Sequence, residues 1–189
     1  GGTKHQMIYT AAELTTLGLS SGSSISSLAL NIAAFAPNAL TDLTIRMKNT
    51  STSVLTGFES GTVAVYGPQT FTPSATGWAT FNLSSSFTWT GGNIIVEFVH
   101  NAGNGGNGSG TTTRYTTTTG FNRSYHGASD NVAGGIAGFD ALTSYSVSGA
   151  SSSRANLRLA YSAQGNVTWS PTTGLFTDAA GNNAYTGTA

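Results

Sequence analysis

Apolar and polar side chains alternate along much of the chain. In 27–33, Leu28, Leu30 and Ile32 are set against Ala29, Asn31 and Ala33, and in 42–48 Leu43, Ile45 and Met47 are set against Thr44, Arg46 and Lys48. The stretch 154–161 repeats the pattern with Leu157, Leu159 and Tyr161 against Asn156, Arg158 and Ala160. Successive strand side chains point to opposite faces, so each segment predicts a strand with one buried and one wet side. Shorter runs of the same kind lie at 6–10, 61–66, 78–83 and 87–90. The run 93–100 is apolar at Ile94, Ile95, Val96, Phe98 and Val99 and therefore predicts a central strand covered on both faces.

Turn signals separate these runs: Ala36-Pro37-Asn38, Gly67-Pro68, Thr76-Gly77, Gly91-Gly92 and the glycine-rich 102–110. The last of these is followed by Thr111-Thr112-Thr113-Arg114-Tyr115, a strand-like sequence rather than a phosphate-binding helix start, and is expected to be a hairpin tip. Only 11–17 departs from the pattern. There Ala11-Ala12-Glu13-Leu14 predicts one helical turn, with Thr10 as N-cap and Glu13 completing a capping box. Many short strands without helical periodicity predict an all-β fold, an antiparallel jelly-roll-like β-sandwich. The character changes near Tyr161, which puts a boundary close to 163: a sandwich over 1–163, then over 164–189 a linker and the first strand of a following unit, with Val167 and Trp169 alternating.

Composition narrows the functions open to such a fold. Charged residues are only 7%, and seven Lys+Arg balance seven Asp+Glu, so neither nucleic acid nor an anionic membrane surface is an expected partner. No stretch approaches the roughly 18 consecutive apolar residues of a membrane span, so membrane insertion is not expected. Hydrophobic residues at 38%, including nine Phe, seven Tyr and three Trp, supply a core despite the low charge. The absence of cysteine removes disulfides, thiolate metal sites and cysteine nucleophiles together. The opening Gly1-Gly2-Thr3-Lys4 reads as a cut edge, the start of a piece of something longer.

The order and spacing of several motifs carry a resemblance. They are Gln6-Met7-Ile8-Tyr9-Thr10-Ala11-Ala12-Glu13-Leu14, Gly22-Ser23-Ser24-Ile25-Ser26-Ser27-Leu28, and Leu43-Thr44-Ile45-Arg46-Met47-Lys48-Asn49-Thr50. Gly77-Trp78, Phe81-Asn82-Leu83 and Phe87-Thr88-Trp89-Thr90-Gly91-Gly92-Asn93-Ile94-Ile95-Val96-Glu97 follow. Together they resemble the β-sandwich modules of large secreted Bacteroidetes surface proteins, such as type IX-exported adhesins and gliding-motility adhesins, over roughly the first 160 residues. The tail from Thr168-Trp169-Ser170-Pro171 resembles the start of an immunoglobulin-like repeat in such proteins. The resemblance implies an extracellular or cell-surface location and an adhesive or architectural role, and it carries no catalytic residue set.

The residues themselves offer few catalytic constellations. The carboxylates are Glu13, Asp42, Glu59, Glu97, Asp130, Asp140 and Asp178; a glycosidase pair of Glu97 with Asp130 or Asp140 is conceivable, but no motif links them. His5, His100 and His126 lack HExxH spacing and are expected to be structural or solvated, with His5 at a frayed terminus and His126 in a loop. No GxSxG elbow occurs. A structural calcium would draw on Asp130 in Ser129-Asp130-Asn131, on Asp140, or on Asp42; no other cofactor is expected. Trp78 and Trp89 are expected to anchor the core.

The sharpest binding candidate is 114–126, where Tyr115, Asn122, Arg123, Tyr125 and His126 would offer aromatic faces and hydrogen bonds to a sugar. The competing reading packs Tyr115, Phe121 and Tyr125 into the core. The expected function is a non-catalytic cell-surface adhesin module that binds glycan or another surface ligand through loops at one end of the sandwich, covalently flanked by neighbouring domains. A passive spacer repeat in a surface filament, and an accessory carbohydrate-binding domain of a secreted enzyme, are the alternatives.

Overall fold

The computed structural model describes residues 1–36, 38–101 and 110–163. In chain order the elements are β1 (Gly2–Tyr9), α1 (Ala11–Thr16), β2 (Ser24–Ala34), β3 (Leu40–Thr50), β4 (Val63–Phe71), β5 (Gly77–Thr88) and β6 (Asn93–Asn101). Then come β7 (Thr112–Thr113), β8 (Tyr115–Thr117), β9 (Ser124–Ser129), α2 (Gly135–Asp140), β10 (Val147–Ser151), β11 (Ser153–Ala155) and β12 (Leu157–Ser162). The expected hairpin tip after β6 falls mostly, and the following unit over 164–189 wholly, outside the described residues.

Six strands form the larger antiparallel sheet in the order β10-β9-β1-β6-β3-β4, and β12-β2-β5 with β7 beside β2 form the smaller one. A two-stranded ribbon of β8 and β11 joins their margins. The chain passes from one sheet to the other between β1 and β2, β2 and β3, β4 and β5, and β5 and β6, which is jelly-roll-like wrapping. The predicted all-β sandwich is therefore the fold.

Alternation decides which side chains meet between the sheets. Met7 and Tyr9 of β1, Ile45 and Met47 of β3, and Ile94 and Val96 of β6 face Ile25, Leu28 and Leu30 of β2, with Phe81 of β5. Leu157, Leu159 and Tyr161 of β12 close that interior from the margin. Phe81 stands edge-on to Tyr66, Phe71 and Phe98, with ring centroids 5.3, 5.0 and 5.9 Å away, so four aromatics fill the wide part of the layer. Trp89 is buried as expected, and its indole N–H donates to Gly92 O at 2.6 Å.

The strand β6 is central, between β1 and β3, and the apolar side chains on its second face are also covered. Ile95 packs with Ile8 and Leu55, under the connection between β3 and β4. Gln6 pins that connection: its amide donates to Glu59 O and accepts from Glu59 N, both at 2.8 Å. The capping box forms as the sequence predicts, with Glu13 accepting from Thr10 N and the Thr10 side chain accepting from Glu13 N.

Several local expectations are corrected. His5 is not frayed, because β1 is paired along both edges, with β6 and with β9. His126 is in strand β9 rather than in a loop. The runs at 78–83 and 87–90 are one strand, while 154–161 is split, because Asn156 leaves the ladder to donate its N–H to Arg114 O. Trp78 is not a core anchor: it is 36% exposed and points outward from the smaller sheet. Gly67, at φ +79°, has its Cβ position 2.1 Å from Leu43 O, so the kink in β4 admits no side chain there.

Candidate functional site

The five side chains expected to form a loop site do not converge. Tyr125 lies opposite Gln6 on the outer face of the larger sheet and packs edge-on to Phe58 at 4.9 Å. His126, next in sequence on the same strand, points to the inner face opposite His5. Tyr115 is on the β8–β11 ribbon and strongly exposed. Arg123 donates to Ser53 O at 2.6 Å and lies over the Phe121 ring, while Asn122 gives its backbone carbonyl to Leu55 N. Only the Arg123–Phe121 contact would present aromatic and cation together. The core alternative is not met by Tyr115 or Phe121, which are exposed; Tyr125 alone is partly buried against the second apolar cluster.

Of the carboxylates considered for calcium, Asp140 is engaged by two cationic side chains. Asp140 receives two hydrogen bonds from Arg46, at 3.1 and 2.6 Å, and one from Lys4 at 2.9 Å. Those cations hold its carboxyl below the usual range against the opposing effect of burial. Asp130 pairs with the Gly1 amine at 3.4 Å. Among the described residues no group of three or more His, Cys, Asp or Glu converges for a metal.

Glu97 is wholly buried on the outer face of β6, in one cross-strand row with Gln6 and Arg46. It accepts from Gln6 at 2.6 Å and from Arg46 at 2.9 Å. Lys48 adds a pair with Glu59 at 2.8 Å. Three cations (Lys4, Arg46, Lys48) thus neutralise three acids (Glu59, Glu97, Asp140) in a closed polar layer. With its oxygens occupied and no exposed surface, Glu97 is held as a structural anchor of the 51–62 connection and α2.

All three histidines face the inter-sheet space. His5 is opposite His126, ring centroids 6.3 Å apart, and His100 is diagonal to His5 on the next strand. They stand at the end where the sheets part around a cleft of about 690 Å³, lined by His5, His100, Leu40, Phe71 and Phe98 among others. Burial, with His126 nearby, lowers the His5 pKa to about 4. Burial, with the terminal amine nearby, lowers that of His100 to about 4. The volume would suit a small ligand; more of the lining is apolar than polar, and Thr3, Asn38, Thr41, Thr111, Thr113 and Asp130 join the histidines as its polar groups.

The outer face of the smaller sheet is different. Register puts Asn31 beside Trp78, Ala29 between Arg158 and Thr80, and Ser27 between Ala160 and Asn82. The small residues Ser27 and Ala29 lie along β2 between the longer side chains of β12 and β5, and Ala29 is buried there. Across β2 the Arg158 guanidinium reaches the Trp78 indole, 4.0 Å from the ring centroid. Trp78, Thr80, Asn82 and Arg158 are all exposed and Asn31 partly so. The Arg114 backbone meets the margin of this sheet, its N–H donating to Asn31 O at 2.7 Å. The sequence carried a signal for this face: Trp78, Thr80 and Asn82 share the parity opposite to Ala79, Phe81 and Leu83.

Comparison with protein-family models, curated proteins and solved structures found no match to this chain. The class that fold and site define is thus an antiparallel β-sandwich with one aromatic, amide- and hydroxyl-bearing sheet face.

Proposed function

We propose that the chain is a non-catalytic, extracellular adhesin module of a bacterial surface protein that holds a glycan on the outer face of its smaller sheet. The observation that carries this is the exposed Trp78 ring set beside Asn31, Thr80 and Asn82 on a flat, acid-free face. One face of the Trp78 indole carries the Arg158 guanidinium, so a sugar's C–H face would stack on what remains of the ring while its hydroxyls pair with the neighbouring amides and hydroxyls. The strands fix these groups before any ligand arrives, which lowers the ordering cost of binding. The extracellular location rests on the resemblance to secreted surface modules, together with a charge-poor, Ser-, Thr- and Gly-rich composition.

The test is a glycan array probed with the wild-type chain and with Trp78→Ala. The expected result is binding to a defined subset of glycans that Trp78→Ala abolishes at unchanged melting temperature. No bound glycan, or binding indifferent to Trp78→Ala, overturns the proposal and leaves the spacer role as the better account.

A further inference from the structure

We propose that the ligand is an acidic glycan, whose carboxylate or sulfate oxygens are gripped by Arg158 with Arg114 alongside; this rests on the glycan reading of the same face. The inference comes from where charge is spent in the molecule. Lys4, Arg46 and Lys48 are consumed by Glu59, Glu97 and Asp140, and Arg154 by Glu13. Among the described residues, Arg114, Arg123 and Arg158 have no carboxylate partner; Arg158 lies on the smaller sheet's outer face, and Arg114 joins that sheet through its backbone at Asn31. The strands β2, β5 and β12 contain no Asp or Glu at all. Arg158 therefore stands on that face with no acid on its own or the neighbouring strands to offset it.

Arg158 is also held in a way that leaves its chemistry free. Its guanidinium is positioned by stacking on Trp78, which consumes none of its N–H donors, and no described side chain or carbonyl accepts from it. A planar fork of unspent donors matches the two oxygens of a carboxylate or sulfate, and the neighbouring indole edge and amides match the sugar bearing it. A neutral glycan offers the fork only single uncharged hydroxyl acceptors, not two charged oxygens at its spacing. Two arginines are too few for the phosphate track of a nucleic acid, so an acidic sugar is the occupant that fits.

The experiment measures binding of the full chain to polygalacturonate, dextran sulfate and uncharged dextran, at low and moderate salt. At least one acidic polymer is expected to bind roughly tenfold or more tighter than dextran, and to weaken with salt. Preference between the two separates carboxylate from sulfate recognition. R158Q is expected to lose most of that advantage, R158K to recover part of it because it restores charge without the planar fork, and R114Q to lose less. R123Q, which alters an unpaired arginine away from the face, is expected to bind as wild type. Equal binding to dextran, an R158Q chain indistinguishable from wild type, an R123Q loss matching that of R158Q, or no binding to any polymer overturns the proposal. A chain that binds neutral glycans and depends on Trp78 but not on Arg158 refutes acidity while leaving the glycan reading intact.

Discussion

Acidification from pH 7 to 4 is expected to weaken the fold through His5 and His100. Both are held neutral, chiefly because burial disfavours the charged ring; His126 adds to this at His5 and the terminal amine at His100. The Nδ1 of His100 is buried with no hydrogen-bond partner among the described residues, so protonation there gains no acceptor. Each folded-state pKa, about 4, lies below the ordinary 6.5. Between these values the unfolded chain binds protons that the folded chain refuses. Stability is therefore fully present above pH 6.5 and is lost as pH falls toward 4. At ~1.4 kcal/mol per pH unit, the gap corresponds to about 3 kcal/mol for each histidine as an upper value. Urea denaturation at pH 7 and at pH 4.5, at fixed ionic strength, reads the loss. His5→Gln and His100→Gln should each flatten the pH dependence, and the double variant should nearly remove it in this window. Glu13 does not confuse the result. Burial would raise its pKa, but hydrogen bonds from Arg154 and Thr10 outweigh that and hold it at about 2, so its contribution is present above the ordinary value of 4.5 and is lost mainly as pH falls from there toward 2. A double variant that loses as much stability as wild type on acidification would refute the assignment.

Other consequences follow from the polar layer and its cover. Glu97→Ala strips Arg46 and Gln6 of a buried partner and should cost about 3 kcal/mol in urea denaturation, by the usual penalty for breaking a buried ion pair; a loss under about 1 kcal/mol would show that the layer does not anchor the fold. Gly127→Val meets Tyr145 and Phe58, whose nearest atoms lie 2.8 and 3.0 Å from its Cβ position, and should lower stability by about 1–3 kcal/mol; an unchanged melting curve would mean those rings do not close over β9. Added calcium should leave the melting temperature unchanged, since Arg46 and Lys4 occupy Asp140. A rise of several degrees in calcium that Asp140→Asn abolishes would contradict that pairing.

The elements and the interior were largely legible because alternation is a local signal. Leu28, Ile45, Val96 and Leu159, on four different strands, meet in one interior as their patterns imply. The capping box was legible for the same reason, since Thr10 and Glu13 are three residues apart. The face proposed to hold a glycan was not, although parity alone placed Trp78 with Thr80 and Asn82. Joining Trp78 to Asn31 and Arg158 requires the register of β5, β2 and β12, which long-range pairing decides. The same holds for His5, His100 and His126, which are scattered in sequence and assembled by β1, β6 and β9. The candidate cluster from Tyr115 to His126 failed to assemble for the converse reason: Tyr125 and His126 are adjacent in one strand, so they must point to opposite faces.

Amide chemical-shift mapping during titration with a glycan found on the array addresses the central claim most directly. Perturbations gathered on Ser27, Asn31, Trp78, Thr80, Asn82 and Arg158 are the expected outcome. Perturbations confined to the histidine-lined cleft or to Tyr115 and Phe121, with the smaller sheet unmoved, would contradict it.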